Sequence, residues 1–128
     1  MSGLLFNKMY VQTDILGSAL NAASVRNEVI NNNIANNDVP GYKTKTVSFE
    51  KSLIDAIDKK KKTGVLDLSN AKPTVRFINE FYSYRVDTNN VDIETEMVNL
   101  YQNSIKYDVM INSVQNNSKR MSLALTGR

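Results

Sequence analysis

Three groups of residues in this sequence carry side chains that could do chemistry. Asp55, Asp58 and Asp67 could be imagined as an acid/base pair, one carboxyl giving a proton while another takes one. Lys59 to Lys62 could hold a phosphate of a nucleic acid or an acidic lipid, and the aromatics from Phe77 to Tyr84 could stack on bases. Each has a plainer reading. Nothing in the sequence draws the carboxylates into one pocket, so they read as surface charges. Phosphate binding recruits a broader patch with Arg or aromatic partners, so the Lys run reads as a solvated loop. The aromatics read as core or interface packing.

The remaining chemistry is bounded by what is missing. The 128 residues contain no His and no Cys, which removes imidazole and thiolate bases, nucleophiles and metal ligands together. We therefore expect no catalytic residue, no cofactor and no metal site, and no disulfide is possible. A net charge of +3, with 41% hydrophobic and 23% charged residues, suits an ordinary globular chain with one modest core. The start, MSGLLFNKMY, shows no charged leader, signal-length apolar run or small-residue cleavage site, and no stretch approaches the ~20 apolar residues of a membrane span. We expect no membrane insertion and export, if any, by a route without a cleaved signal peptide.

What must position these residues is helical. Met9, Thr13, Leu16, Leu20, Ala23, Asn27, Ile30 and Ile34 step by alternating threes and fours. So do Ile93, Met97, Leu100, Ser104, Tyr107, Ile111, Val114, Ser118, Met121 and Leu125. Such stepping keeps one stripe of a helix facing a partner. The spacing predicts an N-terminal helix over 8–36 and a C-terminal helix over 91–125, within a single domain over 1–128. A second apolar strip, Val98, Tyr101, Ile105 and Val109, points away from the first, so pairing the two helices covers only one strip. We take Leu16, Leu20, Ile30, Ile34, Ile93, Met97, Leu100, Tyr107, Ile111, Val114, Met121 and Leu125 as the candidate assembly seam.

Between the helices, 37–90 reads as a turn and a short middle region. Asn31 to Asp38 exhausts helix propensity, because Asn and Asp offer the backbone competing hydrogen bonds. Pro40 pushes Val39 out of the helical region and Gly41 supplies positive φ, which predicts a type II turn over Val39, Pro40, Gly41 and Tyr42. Tyr42 is placed to anchor the reversing chain by its ring with its hydroxyl near water. Phe49, Leu53, Ile54, Ala56 and Ile57 predict a small helix from about Ser48 to Asp58, followed by a charged loop over Lys59 to Gly64. The β-branched and aromatic content from Val65 to Val86, with Val75, Phe77, Phe81, Tyr82 and Tyr84, predicts one or two short strands. Asp92 is the expected N-cap of the last helix, with Glu94 and Glu96 favourable at its N-terminus. The fold class is mainly α: two long terminal helices pairing as an antiparallel coiled-coil-like bundle around that middle.

The run NNIANNDVPGYK, Asn32 to Lys43, resembles the N-terminal signature of bacterial flagellar rod, hook and filament-type axial proteins, with Val39 where that signature has Thr. The stretch from Asn89 to Met121 is similar to the C-terminal signature of the same family, and most like its proximal rod members. The resemblance implies a structural subunit of the flagellar basal-body rod, the shaft that carries torque to the hook. It implies passage through the flagellum's own type III export apparatus and assembly in the cell envelope or periplasmic space. Its implied partners are further copies, FlgC-type and other proximal rod subunits, and a FliE-type protein at the rod base, with no nucleic acid. On this chain the N-terminal motif falls on Asn33, Ile34, Ala35, Asn36, Pro40, Gly41 and Tyr42. The C-terminal motif falls on Val91, Asp92, Glu96, Met97, Asn103, Ser104, Lys106 and Tyr107. Two other classes stay open: an export-system adaptor or chaperone, told by a soluble one-to-one complex with a secreted client, and a basic helical nucleic-acid-binding protein, told by salt-sensitive DNA binding.

Overall fold

The computed structural model describes residues 2–78 and 85–127. Its elements run α1 (Ser2–Ala35), β1 (Lys45–Ser48), α2 (Glu50–Thr63), β2 (Thr74–Phe77) and α3 (Ile93–Thr126). The two terminal helices pack together, as the heptad stripes require. They run antiparallel, because Asn33 near the end of α1 meets Glu96 at the start of α3, and the Ala23 carbonyl further back meets Asn103 further on.

Two adjacent small residues let α1 carry a layer on each side. Ala22 packs with Phe49, Ala56 and Ala71, flanked by Ala19, Leu53 and Leu68, which seats α2 and the following loop. Ala23, Met9 and Ile30 are buried on the stripe that the heptad spacing assigns to the partner helix. A helix with two covered sides needs a wider apolar face than a two-helix seam does. That is why Ala22 and Val29, outside the heptad stripe, are buried too.

Several boundaries differ from expectation. Helix α1 begins at Ser2 rather than near Lys8. The small helix lies later than predicted and absorbs Lys59 to Lys62, so that run is the end of α2 and not a loop. Gly64 closes it with φ 77° and donates its N–H to the Lys60 carbonyl at 2.7 Å. Cations in the last turn suit the negative end of the helix dipole. Strand β1 lies outside the segment expected to hold strands; it pairs antiparallel with β2, Lys45 opposite Phe77 and Ser48 opposite Thr74. The expected strand content at Phe81, Tyr82 and Tyr84 lies outside the described residues.

Helix α3 starts behind an Asp92 N-cap, whose side chain accepts from the Glu94 and Thr95 amides. The face it turns to α1 is not simply the expected stripe. Glu96 and Asn103 are buried there, whereas Ile93, Met97, Tyr107 and Leu125 are exposed; Leu100, Ile111, Val114 and Met121 are half-buried. Among the described residues, no helix is long and apolar enough to cross a membrane.

Candidate functional site

The end of α1 is where the two sequence motifs, half the chain apart, become one structure. A helix leaves its last carbonyls without intrahelical partners. Here backbone amides of Asn36 and Asn37 meet the last helical carbonyls, and Asn89, fully buried, gathers those of the exit chain: its Nδ2 lies 3.0 Å from the Asn36 carbonyl, 3.0 Å from that of Asn37 and 2.8 Å from that of Val39. Its Oδ1 accepts from the Val91 amide at 2.8 Å, which ties the cap to the start of α3. Arg85 adds a bond to the Asn37 carbonyl at 2.8 Å and an ion pair with Asp87 at 2.9 Å.

The chain then reverses through the predicted turn. Gly41 has φ 74°, the Tyr42 amide donates to the Val39 carbonyl at 3.3 Å, and the Gly41 amide donates to the Asp87 carbonyl at 2.8 Å. Pro40 and Val39 face solvent, and Asn36 folds back to the Asn32 carbonyl at 2.7 Å. Ala35 is the exposed last residue of α1, with Ile34 half-buried beside it.

Asn33 is the hub. Its Nδ2 donates to the Lys45 carbonyl at 2.8 Å and to Glu96 Oε2 at 3.1 Å. Its Oδ1 accepts from the Lys45 amide at 3.0 Å and lies 3.0 Å from the Tyr42 hydroxyl. The amide thus bonds both the N–H and the C=O of Lys45, the pair of bonds a neighbouring strand would make, and so shields the edge of β1 that β2 leaves open. Both atoms of the amide are satisfied, as a buried carboxamide requires.

Tyr42 departs from the sequence reading. Its hydroxyl is held by protein, 2.9 Å from Asn32 Oδ1 and 3.0 Å from Asn33 Oδ1. Burial and the nearby Glu96 charge push this phenol above its ordinary range, so it remains a donor. Asn90 completes the clasp: its Oδ1 accepts from the Thr44 amide at 2.7 Å, and its Nδ2 donates to the Ile78 carbonyl at 3.2 Å. Asp92 is held below the usual carboxylate range, chiefly by its bonds to Thr95 and then by that to the Glu94 amide. Asn89 and Asn90 lie inside the quoted C-terminal motif, but nothing in their spacing announces a cap for a helix so far away. An Asn pair just before an N-cap is the one available signal.

Above the clasp lie the seam residues. Ile30 of the seam is buried, while Leu16, Leu20 and Ile34 are half-buried. Of the C-terminal motif, Val91 and Asn103 are also buried, and Asn103 donates to the Ala23 carbonyl at 2.8 Å; Ser104 and Lys106 face outward. On the far side of α3, Met97, Val98, Tyr101, Ile105 and Val109 form a strip that α1 leaves uncovered, with exposures from 47% at Ile105 to 70% at Tyr101. Val98, Tyr101, Ile105 and Val109 are the second strip of the sequence, and Met97, expected on the seam, joins them.

One sequence inference is corrected. The fold does bring Asp55, Asp58 and Asp67 to the wall of a single open cleft of about 520 Å³, with Lys59 and Lys62, because α2 and the loop after it fold side by side. They remain surface charges: Asp58 pairs with Lys61 at 3.1 Å, and Asp67 accepts from the Ser69 amide at 2.9 Å, with the Ser69 side chain first and that amide second holding it below the usual range. Among the described residues no cluster of carboxylates is placed to hold a metal ion.

Residues 14–43, from the middle of α1 through the Pro-Gly turn, match the family model described as flagella basal body rod protein. Over its length the chain is similar to flagellar basal body rod proteins FlgB. It is 35% identical to that of Bacillus subtilis, over 88% of this chain and 91% of the relative. The identity is 31% with that of Buchnera aphidicola, over 96% of this chain and 100% of the relative. With that of Borrelia hermsii it is 32%, over 93% and 98%.

Proposed function

Because the chain belongs to the FlgB family of flagellar basal body rod proteins, we propose that it is a structural subunit of the proximal rod, assembling through its terminal helices into part of the torque-carrying shaft. The observation that carries this reading is the uncovered strip Met97, Val98, Tyr101, Ile105 and Val109 on α3. Contiguous apolar surface on one helix face is the mark of a helix that expects a neighbour. Burying each such side chain contributes roughly 1.5 to 3 kcal/mol, far more than its exposure in a solitary subunit can return.

The clasp supports the same reading from a different side. A shaft subunit must hold the angle between its long helices and its middle region under load. Polar networks with every member satisfied specify one geometry rather than several. Asn33, Asn89 and Gly41 set the exit of α1, and Asp92 and Glu96 set the entry of α3. The motif residues are thus positioning residues for the two helices, and the seam residues supply the packing.

The family is a structural one, and an enzymatic role is not part of this reading. The partners proposed are further copies, FlgC-type and other proximal rod subunits, and a FliE-type protein at the rod base. The place proposed is the basal body in the cell envelope, reached through the flagellar type III export apparatus. The test is a deletion strain: its purified basal bodies keep the membrane-embedded ring and lack the rod and everything beyond it. A deletion strain that still builds a rod and swims contradicts the proposal.

A further inference from the structure

The small sheet has two edges, and the fold treats them differently. On β1 the Asn33 carboxamide takes the outward N–H and C=O of Lys45. Beyond β2 no further strand pairs among the described residues. The register shows which groups are left there. The Ile78 amide donates to the Thr44 carbonyl at 2.8 Å, and these two residues continue the pairing of Lys45 with Phe77 and of Thr46 with Arg76. Bonded and unbonded pairs alternate along an antiparallel ladder, so Thr74 and Arg76 bond β1, whereas Val75 and Phe77 aim their N–H and C=O away from it.

The side chains alternate as well. Val75 and Phe77 share one face of the sheet with Val47 and Lys45, and Arg76 shares the other with Thr46. Val75 and Phe77 are 47% and 62% exposed, and the Lys45 ammonium lies 5.7 Å from the centroid of the Phe77 ring. Arg76 is exposed, as is Lys72 just before the strand, and neither stands in an ion pair among the described residues.

We propose that the open edge of β2 takes an extended segment of another protein as a third, antiparallel strand, with an acidic residue opposite Arg76 and apolar residues opposite Val75 and Phe77. An unpaired edge is a template for such addition, in which main-chain bonds hold the segment and alternate side chains select it. Charge complementarity decides the occupant. A second copy pairing β2 with β2 so as to use all four outward groups sets Arg76 against Arg76, and like charges directly opposite destabilise a strand pair. A carboxylate in that place meets the guanidinium instead. The contact lies on the middle region, apart from the helices, and stands independently of the rod-subunit reading.

The experiment is a magnetic-resonance titration of the nitrogen-labelled full-length chain with two synthetic peptides, Thr-Thr-Val-Asp-Val-Thr-Thr and its counterpart with Lys in place of Asp. The Asp peptide shifts the Val75 and Phe77 amides, slows their exchange with solvent, and binds about fivefold more tightly than the Lys peptide. Arg76→Glu inverts that preference. Val75→Pro removes an outward N–H and no ladder bond, so it keeps the fold by circular dichroism and loses binding of both peptides.

Equal binding of the two peptides overturns the proposal, and so does binding that survives Val75→Pro or leaves the Val75 and Phe77 amides unmoved. No binding of either peptide overturns it too. Protection of these two amides that grows with protein concentration alone assigns the edge to a second copy and overturns the acidic occupant.

Discussion

Asn33 Nδ2 donates to Glu96 Oε2 at 3.1 Å across the α1/α3 seam, joining two side chains 63 residues apart that are 0% and 6% exposed. Among the described residues no cation lies within ion-pair distance of Glu96, and its carboxylate accepts from this amide. The pair fixes the register of the two helices at the clasp. A shift of one helix past the other would take this donor from the buried Glu96 carboxylate.

The first prediction follows directly. Asn33→Leu keeps the branched shape but strands Glu96 and both backbone groups of Lys45, and leaves the Tyr42 hydroxyl only Asn32. Unpaired buried polar groups cost about 1 to 3 kcal/mol each before relaxation, so a loss of about 3 kcal/mol is expected in urea unfolding. A loss under about 0.5 kcal/mol, the range of changes far from such features, would remove the hub from the account.

Gly41 is required by its backbone. A Cβ there would meet only Thr88 Oγ1 at 3.8 Å, an ordinary contact, but φ is 74°. Gly41→Ala should therefore lose about 1 to 2 kcal/mol through conformation alone, and Gly41→Val more, since β-branching adds strain in that region. Thermal unfolding measures the first, and swimming in soft agar reads whether the second still assembles. A Gly41→Ala variant as stable as wild type would mean that the turn relaxes.

The parts of this fold that are legible in the sequence rest on local rules. The turn at Pro40 and Gly41 and the cap at Asp92 are chemistry of adjacent residues, and both long helices follow from periodicity. What is not legible depends on distance. Asn89 looks like any turn Asn until α1 ends against it. Strand β1 is too short for a pattern of its own, and β2 and Asn33 define it. The heptad stepping puts Met97 and Tyr107 on the covered face and passes over Glu96 and Asn103. Periodicity ranks apolar residues, and here two polar side chains with partners on α1 turn the helix. The Lys run reads as a loop when repulsion among like charges is weighed above the helix dipole and a Gly C-cap, and in the fold the latter two prevail.

Titration of Tyr42 gives the third prediction. Its folded-state pKa lies above the ordinary 10.0, so the stability it contributes is complete below pH 10 and is lost as pH rises through the folded value. The advantage of wild type over Tyr42→Phe, constant through neutral pH, should shrink above pH 10. Denaturant unfolding at stepped pH checks it, and an advantage that persists at high pH would show that the hydroxyl is not held in neutral form.

Asp92 behaves in the opposite sense. Its folded-state pKa is lowered from 3.8, so its contribution is present above that pH and is lost as pH falls through the depressed value. Asp92→Asn keeps an N-cap acceptor but not the charge. The two proteins should differ near neutral pH and converge in strong acid by thermal unfolding. A constant gap would assign the difference to geometry.

The measurement that bears most directly on the central claim separates folding from assembly on α3. Tyr101→Lys and Ile105→Lys alter only the strip that α1 does not touch, so each purified variant should keep wild-type helicity and unfolding midpoint within about 0.5 kcal/mol. Expressed in a deletion strain, each should leave cells without a rod and unable to swim. Variants that fold normally and also restore the rod and swimming would contradict the claim that this strip joins the subunit to its neighbours.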